Sequence, residues 1–114
     1  MTRVFKVLQA ADWAAACSKG QFDGAPVDLA DGFIHLSAAD QVAETLRRHF
    51  AGQAGLVLAA FDAEALGPDL RWEPSRGGAL FPHLYGPLPT ALAGEVKPIP
   101  LGGDGTFDLE GLGV

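Results

Sequence analysis

The hydrophobic and polar positions first follow the period of a strand and then the period of a helix. Residues 3–8 place Phe5 and Val7 on one side of an extended chain, which predicts a short strand with one buried face. An apolar stripe at helical spacing follows, made of Ala10, Trp13, Ala14 and Cys17. This stripe predicts a helix over residues 10–19 that ends at Gly20.

The next segment contains a loop, a strand and a second helix. Residues 21–31 include Gly24 and Pro26 and show no sustained period, which predicts a loop at the rim of a site. Residues 32–36 read as a strand, and Ser37 is well placed to cap the following helix. The stripe of that helix consists of Ala39, Val42, Ala43, Leu46 and Phe50.

The second half of the chain reads mostly as strands. Residues 56–61 form a continuous apolar run, which is typical of a central strand covered on both faces. Residues 70–73 alternate, and residues 81–85 are extended because the first of them precedes a proline. Residues 93–99 read as the last strand, which Pro98 and Pro100 confine to a sheet edge or to the end of the strand.

These elements predict an α+β fold with a compact, split, mostly antiparallel sheet of about six short strands and two helices in the N-terminal half. The chain has 114 residues, of which 48% are hydrophobic. That is enough to fill one core, so we expect a single domain over residues 1–114. Residues 102–114 are rich in glycine and acid and are expected to form a loose tail.

The charge and composition of the chain limit the kinds of molecule that it is expected to bind. The net charge is −6, with 14 acidic and 8 basic residues, which disfavours binding to a nucleic-acid backbone. No apolar run reaches the length of a membrane span, and no signal-peptide pattern follows the first residues. Cys17 is the single cysteine, so an internal disulfide is excluded. We expect a cytoplasmic protein with a small-molecule ligand, and the sequence leaves its oligomeric state open.

Two histidines on extended segments are the main candidates for chemistry. The period of two puts Phe33, His35 and Ser37 on one face of the earlier segment. The same period puts His83 and Tyr85 together on the later segment. Histidine is suited to proton transfer near neutral pH, and a nearby hydroxyl can orient it. The pattern therefore predicts one pocket shared by both histidines, although histidines that only pack in the core fit it too.

Arg71 and Glu73 are a further pair of candidates. They alternate with Leu70 and Trp72, and an arginine is a natural clamp for a phosphate or carboxylate. An exposed cross-strand pair with no ligand is the alternative. The sequence has neither paired cysteines nor a His-Glu-x-x-His helix, so no metal site is predicted.

Three strings of the sequence together resemble a known family. They are DGFIHLS at residues 31–37, LRWE at residues 70–73 and FPHLYGPL at residues 81–88. Over about residues 3–100 the chain resembles a bacterial domain-of-unknown-function family, number nine hundred and fifty-two. That family is grouped with the ADP-ribosyltransferase-like superfamily. The resemblance implies a split sheet with a nicotinamide-dinucleotide cleft between its halves, so NAD becomes a possible cofactor.

The resemblance also implies roles for single residues. The superfamily has a histidine or arginine on its first strand, an aromatic residue or histidine on a middle strand and often a glutamate on a late strand. Lys6 stands on the first strand, where many family members have histidine. Glu73 and Glu95 are both candidates for the late glutamate.

Three functions follow from these observations. The leading one is an ADP-ribosyl-type transferase or hydrolase that acts on a dinucleotide or another phosphorylated metabolite, with His35 and His83 as catalytic residues. The expected ligand-binding residues are Lys6, Phe33, Ser37, Arg71, Glu73 and Tyr85. The first alternative is a non-catalytic small-ligand-binding or regulatory domain. The second is a phosphodiesterase-like enzyme with two His-x-hydroxyl segments.

Overall fold

A four-stranded antiparallel sheet forms the central layer. The computed structural model describes residues 2–114, apart from the side chain of Arg76. The sheet has the order β4-β1-β5-β9 and consists of β1 (Arg3–Gln9), β4 (Ser37–Ala38), β5 (Leu56–Asp62) and β9 (Ala93–Pro98). The apolar run at residues 56–61 thus lies in an internal strand and β9 lies at an edge, and both predictions are confirmed.

Two smaller sheets complete the β structure. One has the order β3-β7-β6, from β3 (Ile34–His35), β6 (Leu70–Pro74) and β7 (Leu80–Leu84), and the other pairs β2 (Gln21–Phe22) with β8 (Leu88–Pro89). All six strand pairings of the described residues are antiparallel. Residues 2–114 thus contain nine strands, and the expectation of about six was wrong. Strands β2, β3, β4 and β8 have two residues each, which is too short to show a period.

Four α-helices flank the sheets. They are α1 (Ala10–Lys19), α2 (Pro26–Asp31), α3 (Val42–His49) and α4 (Ala63–Leu66). Short 3₁₀ turns cover Ala39–Gln41, Gly67–Asp69, Arg76–Gly78 and Thr90–Leu92. The two predicted helices correspond to α1 and α3. Within the described residues, no helix has the length and apolar character needed to cross a membrane.

The hydrophobic core consists of two clusters, one on each face of the central sheet. Alternate residues of β1 point to opposite faces, so Val4 and Leu8 join the first cluster while Phe5 and Val7 join the second. The three-stranded sheet and α1 cover the first cluster, to which Ile34, Leu36, Leu84 and Ala16 belong. Helix α3 covers the second cluster, together with three residues near the C-terminus, Phe107, Leu109 and Leu112.

Residues 21–31 were expected to be a loop, but they contain β2 and α2. Pro26 is the first residue of α2, and Gly32 ends the helix with a φ of 86°. Proline at the first helical position and glycine just past the end are ordinary helix signals. With six residues, the helix is too short for its apolar period to be detected.

Ser37 is not the helix cap that the sequence suggested. It lies in β4 opposite Phe5, and the turn that precedes α3 begins at Ala39. The backbone N–H of Ala38 donates to the side-chain oxygen of Gln41 at 2.9 Å. Glutamine three residues on therefore satisfies the donor at this terminus.

Candidate functional site

The three-stranded sheet aligns His35, His83 and Arg71 in one row. The register pairs His35 of β3 with His83 of β7, and His83 with Arg71 of β6. Residues paired in this way share a face of the sheet. On the other face Ile34 and Leu84 are buried in the first cluster. The centroids of the two imidazole rings are 5.7 Å apart, so the sheet brings the predicted histidines side by side.

Asp28 of α2 holds His35 in place. The exposed fraction of the Asp28 side chain is 1%. Its Oδ1 accepts from the backbone N–H of His35 at 3.0 Å and lies 2.6 Å from ring nitrogen Nδ1. Its Oδ2 accepts from the backbone N–H of Ala25 at 2.8 Å. One buried carboxylate therefore orients both the backbone and the ring of His35.

Lys6 compensates the charge of Asp28 from the core side. Its Nζ lies 3.2 Å from Oδ2 of Asp28 and donates to the carbonyl of His35 at 2.9 Å. Burial lowers the pKa of Lys6, and the charge of Asp28 opposes that change. Burial alone would raise the pKa of Asp28, but the hydrogen bond from His35 and the charge of Lys6 bring it down to about 2. Lys6, expected to bind ligand, thus lies beneath His35.

Asp31, at the end of α2, contacts the other nitrogen of His35. Its Oδ2 is 2.9 Å from Nε2 of the ring. Both side chains are partly open to solvent, with exposed fractions of 34% for His35 and 48% for Asp31. The imidazole of His35 thus lies between two carboxylates, one buried and one near the surface.

Glu73 of β6 binds His83. Its Oε1 lies 2.8 Å from Nδ1 of His83 and accepts from the hydroxyl of Tyr85 at 2.7 Å. The hydrogen bonds from Tyr85 and then from His83 lower the pKa of Glu73, and the bond to Glu73 raises the pKa of Tyr85. The His83 side chain is only 7% exposed. Each histidine therefore has a carboxylate of its own at Nδ1.

Phe33 and Arg71 complete the group. The ring of Phe33 stacks on that of His83 with centroids 4.1 Å apart, and it also contacts the rings of His35 and Tyr85. The guanidinium carbon of Arg71 lies 4.8 Å above the centre of the Tyr85 ring. No carboxylate within ion-pair distance of Arg71 is recorded among the described residues, so this exposed cation is available to an anion.

The histidine cluster, as we call it below, comprises Phe33, His35, Arg71, Glu73, His83 and Tyr85. Ser37 was expected beside them, but its hydroxyl pairs with that of Thr45 at 2.8 Å and it is buried. Glu95 forms ion pairs with Arg3 and Lys97 on the central sheet. Of the two candidate glutamates, Glu73 is therefore the one that contacts a histidine.

Most of the cluster is half-buried: Arg71 is exposed, His83 is buried, and the other four side chains lie between these extremes. Two surface depressions of about 300 Å³ each occur elsewhere: one lies beside Trp72 and Glu64, and the other lies between α1 and residues 21–26. Within the described part of the chain, no group of three or more histidine, cysteine or acidic side chains has the arrangement of a metal site.

Asp28 and Asp31 are functional candidates that the sequence did not suggest. Both lie on α2, which was expected to be a loop. A predicted loop does not indicate the direction of its side chains, so a contact with His35 was not expected. The signal that could have revealed them is the pair of helix ends, Pro26 and Gly32. A helix between those ends brings both acids back toward the strand that follows it.

The fold and the cluster define a small antiparallel α+β protein with two carboxylate-bound histidines on an outer sheet. The chain belongs to the family described as "Protein of unknown function (DUF952)", whose model matches residues 7–96. The crystal structure of protein CC0527 from Caulobacter crescentus is similar, with 53% identity, a TM-score of 0.91 and coverage of 95% of both chains.

Two further structures of CC0527 are similar as well. The crystal structure of a double mutant has 51% identity, a TM-score of 0.91 and 95% coverage of both chains. The solution NMR structure has 53% identity and a TM-score of 0.85, and covers 96% of this chain and 94% of the other. None of the curated proteins compared matches the chain.

Proposed function

We propose that the histidine cluster is the active site of an ADP-ribosyl-type transferase or hydrolase that acts on a dinucleotide or another phosphorylated metabolite. The observation that carries this proposal is the row of His35, His83 and Arg71, in which each histidine has a carboxylate at Nδ1. A histidine oriented in this way is suited to acid–base catalysis. An adjacent exposed arginine is suited to an anionic substrate.

The other members of the cluster fit such a ligand. Phe33 and Tyr85 offer aromatic rings on which a base or a nicotinamide ring can stack. Arg71 would bind a phosphate, while His35 and His83 are within reach of ribose or phosphate oxygens. Glu73 would stand where the ADP-ribosyltransferase-like superfamily has its late glutamate. NAD and ADP-ribose are therefore the first compounds to test.

The test is consumption of these compounds. The purified protein is incubated with NAD, ADP-ribose, a cyclic nucleotide or an O-linked ADP-ribosyl ester, and the products are separated by chromatography. We expect His35→Ala and His83→Ala to lower turnover by about 100-fold or more, which is typical of a lost general acid or base. His49→Ala, on α3, is the matched control and should keep the activity. Equal turnover in all three variants, or no product from any compound, would contradict the proposal.

One observation favours a second candidate, a non-catalytic small-ligand-binding or regulatory domain. Both nitrogens of His35 contact carboxylates, and the Phe33 ring covers His83, so neither histidine is free in this arrangement. Such a domain would be stabilised by ADP-ribose or NAD and would leave the compound intact. The phosphodiesterase-like alternative requires a hydroxyl beside each histidine, and the pairing of Ser37 with Thr45 weakens it.

A further inference from the structure

The hydrogen bonds of His35 define its protonation state in this geometry. Its Nδ1 lies 2.6 Å from Oδ1 of Asp28, and its Nε2 lies 2.9 Å from Oδ2 of Asp31. An ionised carboxylate can only accept hydrogen bonds. With both carboxylates ionised, both ring nitrogens donate, so the geometry favours the protonated imidazolium. Two cations, Lys6 and His35, then balance the charges of Asp28 and Asp31.

His83 is in a different situation. Its Nδ1 lies 2.8 Å from Oε1 of Glu73, and that oxygen also accepts from Tyr85. Nδ1 therefore donates to Glu73, and nothing in this geometry requires a second proton on Nε2. No polar partner for this Nε2 is recorded in the described part of the chain, although the side chain is only 7% exposed. A ring nitrogen without a protein partner can accept a hydrogen bond from a ligand or water.

We infer that His35 is the general acid and His83 the general base of the reaction. This inference rests on the proposed function and assigns its proton transfers. Two similar groups whose surroundings favour opposite protonation states take opposite roles in acid–base catalysis. The difference here is the number of carboxylates at each ring: Asp28 and Asp31 on His35, and Glu73 alone on His83.

The assignment specifies a hydrolytic step. Nε2 of His83 takes a proton from a water molecule, and the oxygen of that water forms a bond to the anomeric carbon of the ribose. The bond from this carbon to the leaving oxygen breaks, and the oxygen keeps the electron pair. Nε2 of His35 gives its proton to that oxygen. Exchange with solvent then returns His83 to the neutral form and His35 to the protonated form.

The assignment also selects a class of substrate. An oxygen leaving group gains from a proton at the moment of departure. Nicotinamide departs from its pyridinium nitrogen as a neutral molecule and takes up no proton. The histidine pair is therefore suited to O-linked ADP-ribosyl compounds, in which a sugar carbon is bonded to the oxygen of an ester or an ether, more than to NAD.

The segment of residues 31–33 contacts both rings. Asp31 contacts Nε2 of His35, and Phe33 stacks on the ring of His83. Between them lies Gly32, with a φ of 86°. Movement of this one segment would release the acid and uncover the base together, as ligand entry requires.

The test is the state of the ring nitrogens in the ligand-free protein. Two-bond ¹H–¹⁵N correlation spectra near neutral pH distinguish protonated from bare nitrogens, and His35→Ala, His83→Ala and His49→Ala assign the signals. We expect two protonated nitrogens for His35, and one protonated and one bare nitrogen for His83. Asp31→Asn should leave Nε2 of His35 bare, because an amide can donate to it. Asp12→Asn, an exposed change on α1, is the control and should alter neither ring.

A bare nitrogen on His35 of the wild type, a doubly protonated His83, or no effect of Asp31→Asn would overturn the assignment. A kinetic comparison adds a second criterion: Asp31→Asn should slow hydrolysis of O-linked ADP-ribose by about tenfold or more and change NAD consumption much less. Equal slowing of both would overturn the assignment as well. The spectra require no ligand. If they agree with these expectations but no compound is turned over, the proposed function is contradicted and the protonation states are not.

Discussion

Asp28 is the residue on which the orientation of His35 depends most directly. Its buried carboxylate accepts hydrogen bonds from the backbone of Ala25, from the backbone of His35 and from Lys6, and it lies against the His35 ring. A buried ion pair adds little net stability compared with apolar residues, but loss of one partner leaves an uncompensated charge. The free energy of unfolding should therefore change very differently when one member of the Lys6–Asp28 pair is replaced and when both are replaced.

A double-mutant cycle tests this coupling. Lys6→Met and Asp28→Asn should each lower the free energy of unfolding by about 3–5 kcal/mol, because each leaves a buried group without its partner. The double variant should lose clearly less than the sum of the two. Urea denaturation of the four proteins gives the values. Additive losses within about 0.5 kcal/mol would show that the two residues do not interact.

The depressed pKa of Asp28 predicts sensitivity to acid. This pKa is about 2 in the folded protein, against an ordinary value of 3.8. A carboxyl group whose pKa is lowered by folding stabilises the protein above the ordinary value, and the contribution is lost as pH falls toward the folded value. The urea midpoint of the wild type should therefore fall between about pH 4 and about pH 2. Asp28→Asn should show a smaller fall across that interval, and an equal fall would contradict the account.

The hydroxyl of Tyr85 should control the acidity of Glu73. Since its hydrogen bond is the main cause of the lowered pKa of Glu73, Tyr85→Phe should raise that pKa. The side-chain carboxyl ¹³C shift of Glu73, followed through a pH titration, measures the change. Glu95, whose pKa is lowered chiefly by Lys97, is the internal reference and should keep its value. An unchanged pKa of Glu73 would mean that His83 and Arg71, not Tyr85, lower it.

At the scale of elements, α2 is the short helix on which the site depends. It carries Asp28 and Asp31, and it ends at Gly32 in a left-handed conformation. Helix α1 ends in the same way at Gly20, with a φ of 99°. Neither glycine has an atom within 4 Å of the position that a Cβ would occupy. Gly20 and Gly32 are therefore comparable positions. Only Gly32 is adjacent in sequence to a residue of the histidine cluster, Phe33.

Replacing each of these glycines with alanine distinguishes the effect of backbone strain from the effect of a position next to the cluster. Gly20→Ala and Gly32→Ala should each cost about 1–2 kcal/mol of stability, since a residue with a Cβ is strained at positive φ. Only Gly32→Ala should shift the ring signals of His35 and His83, because Phe33 and Asp31 flank it. Urea denaturation and histidine-ring NMR are the measurements. Equal ring shifts in both variants would mean that α2 does not position the cluster.

The predictable elements were those long enough to show a period. Helices α1 and α3 and strand β5 have between seven and ten residues, and the pattern of the sequence indicated each of them. Strands β2, β4 and β8 and helix α2 were missed because their formation depends on contacts distant in sequence. The period of two correctly put Ile34 and Leu36 in the core. It could not indicate that a carboxylate from α2 would meet His35, because that contact depends on how α2 packs.

At the scale of the whole molecule, the two faces of the central sheet support different parts of the chain. The face covered by α3 and the residues near the C-terminus holds the second core cluster. The other face supports the first core cluster and, through the three-stranded sheet, the histidine cluster. The net charge of the chain is −6, and a negative net charge disfavours association with polyanions. In the proposed function, the exposed Arg71 would supply a local positive charge for a small anion in spite of that net charge.

The most direct test of the central claim, that the histidine cluster binds a phosphorylated nucleotide ligand, is a thermal-shift titration with ADP-ribose. The experiment compares the wild type with His35→Ala, Arg71→Ala and the control His49→Ala. The account predicts that saturating ADP-ribose raises the melting temperature of the wild type and of His49→Ala by several degrees, and that His35→Ala and Arg71→Ala lose most of this rise. No rise in the wild type, or an equal rise in all four proteins, would contradict it.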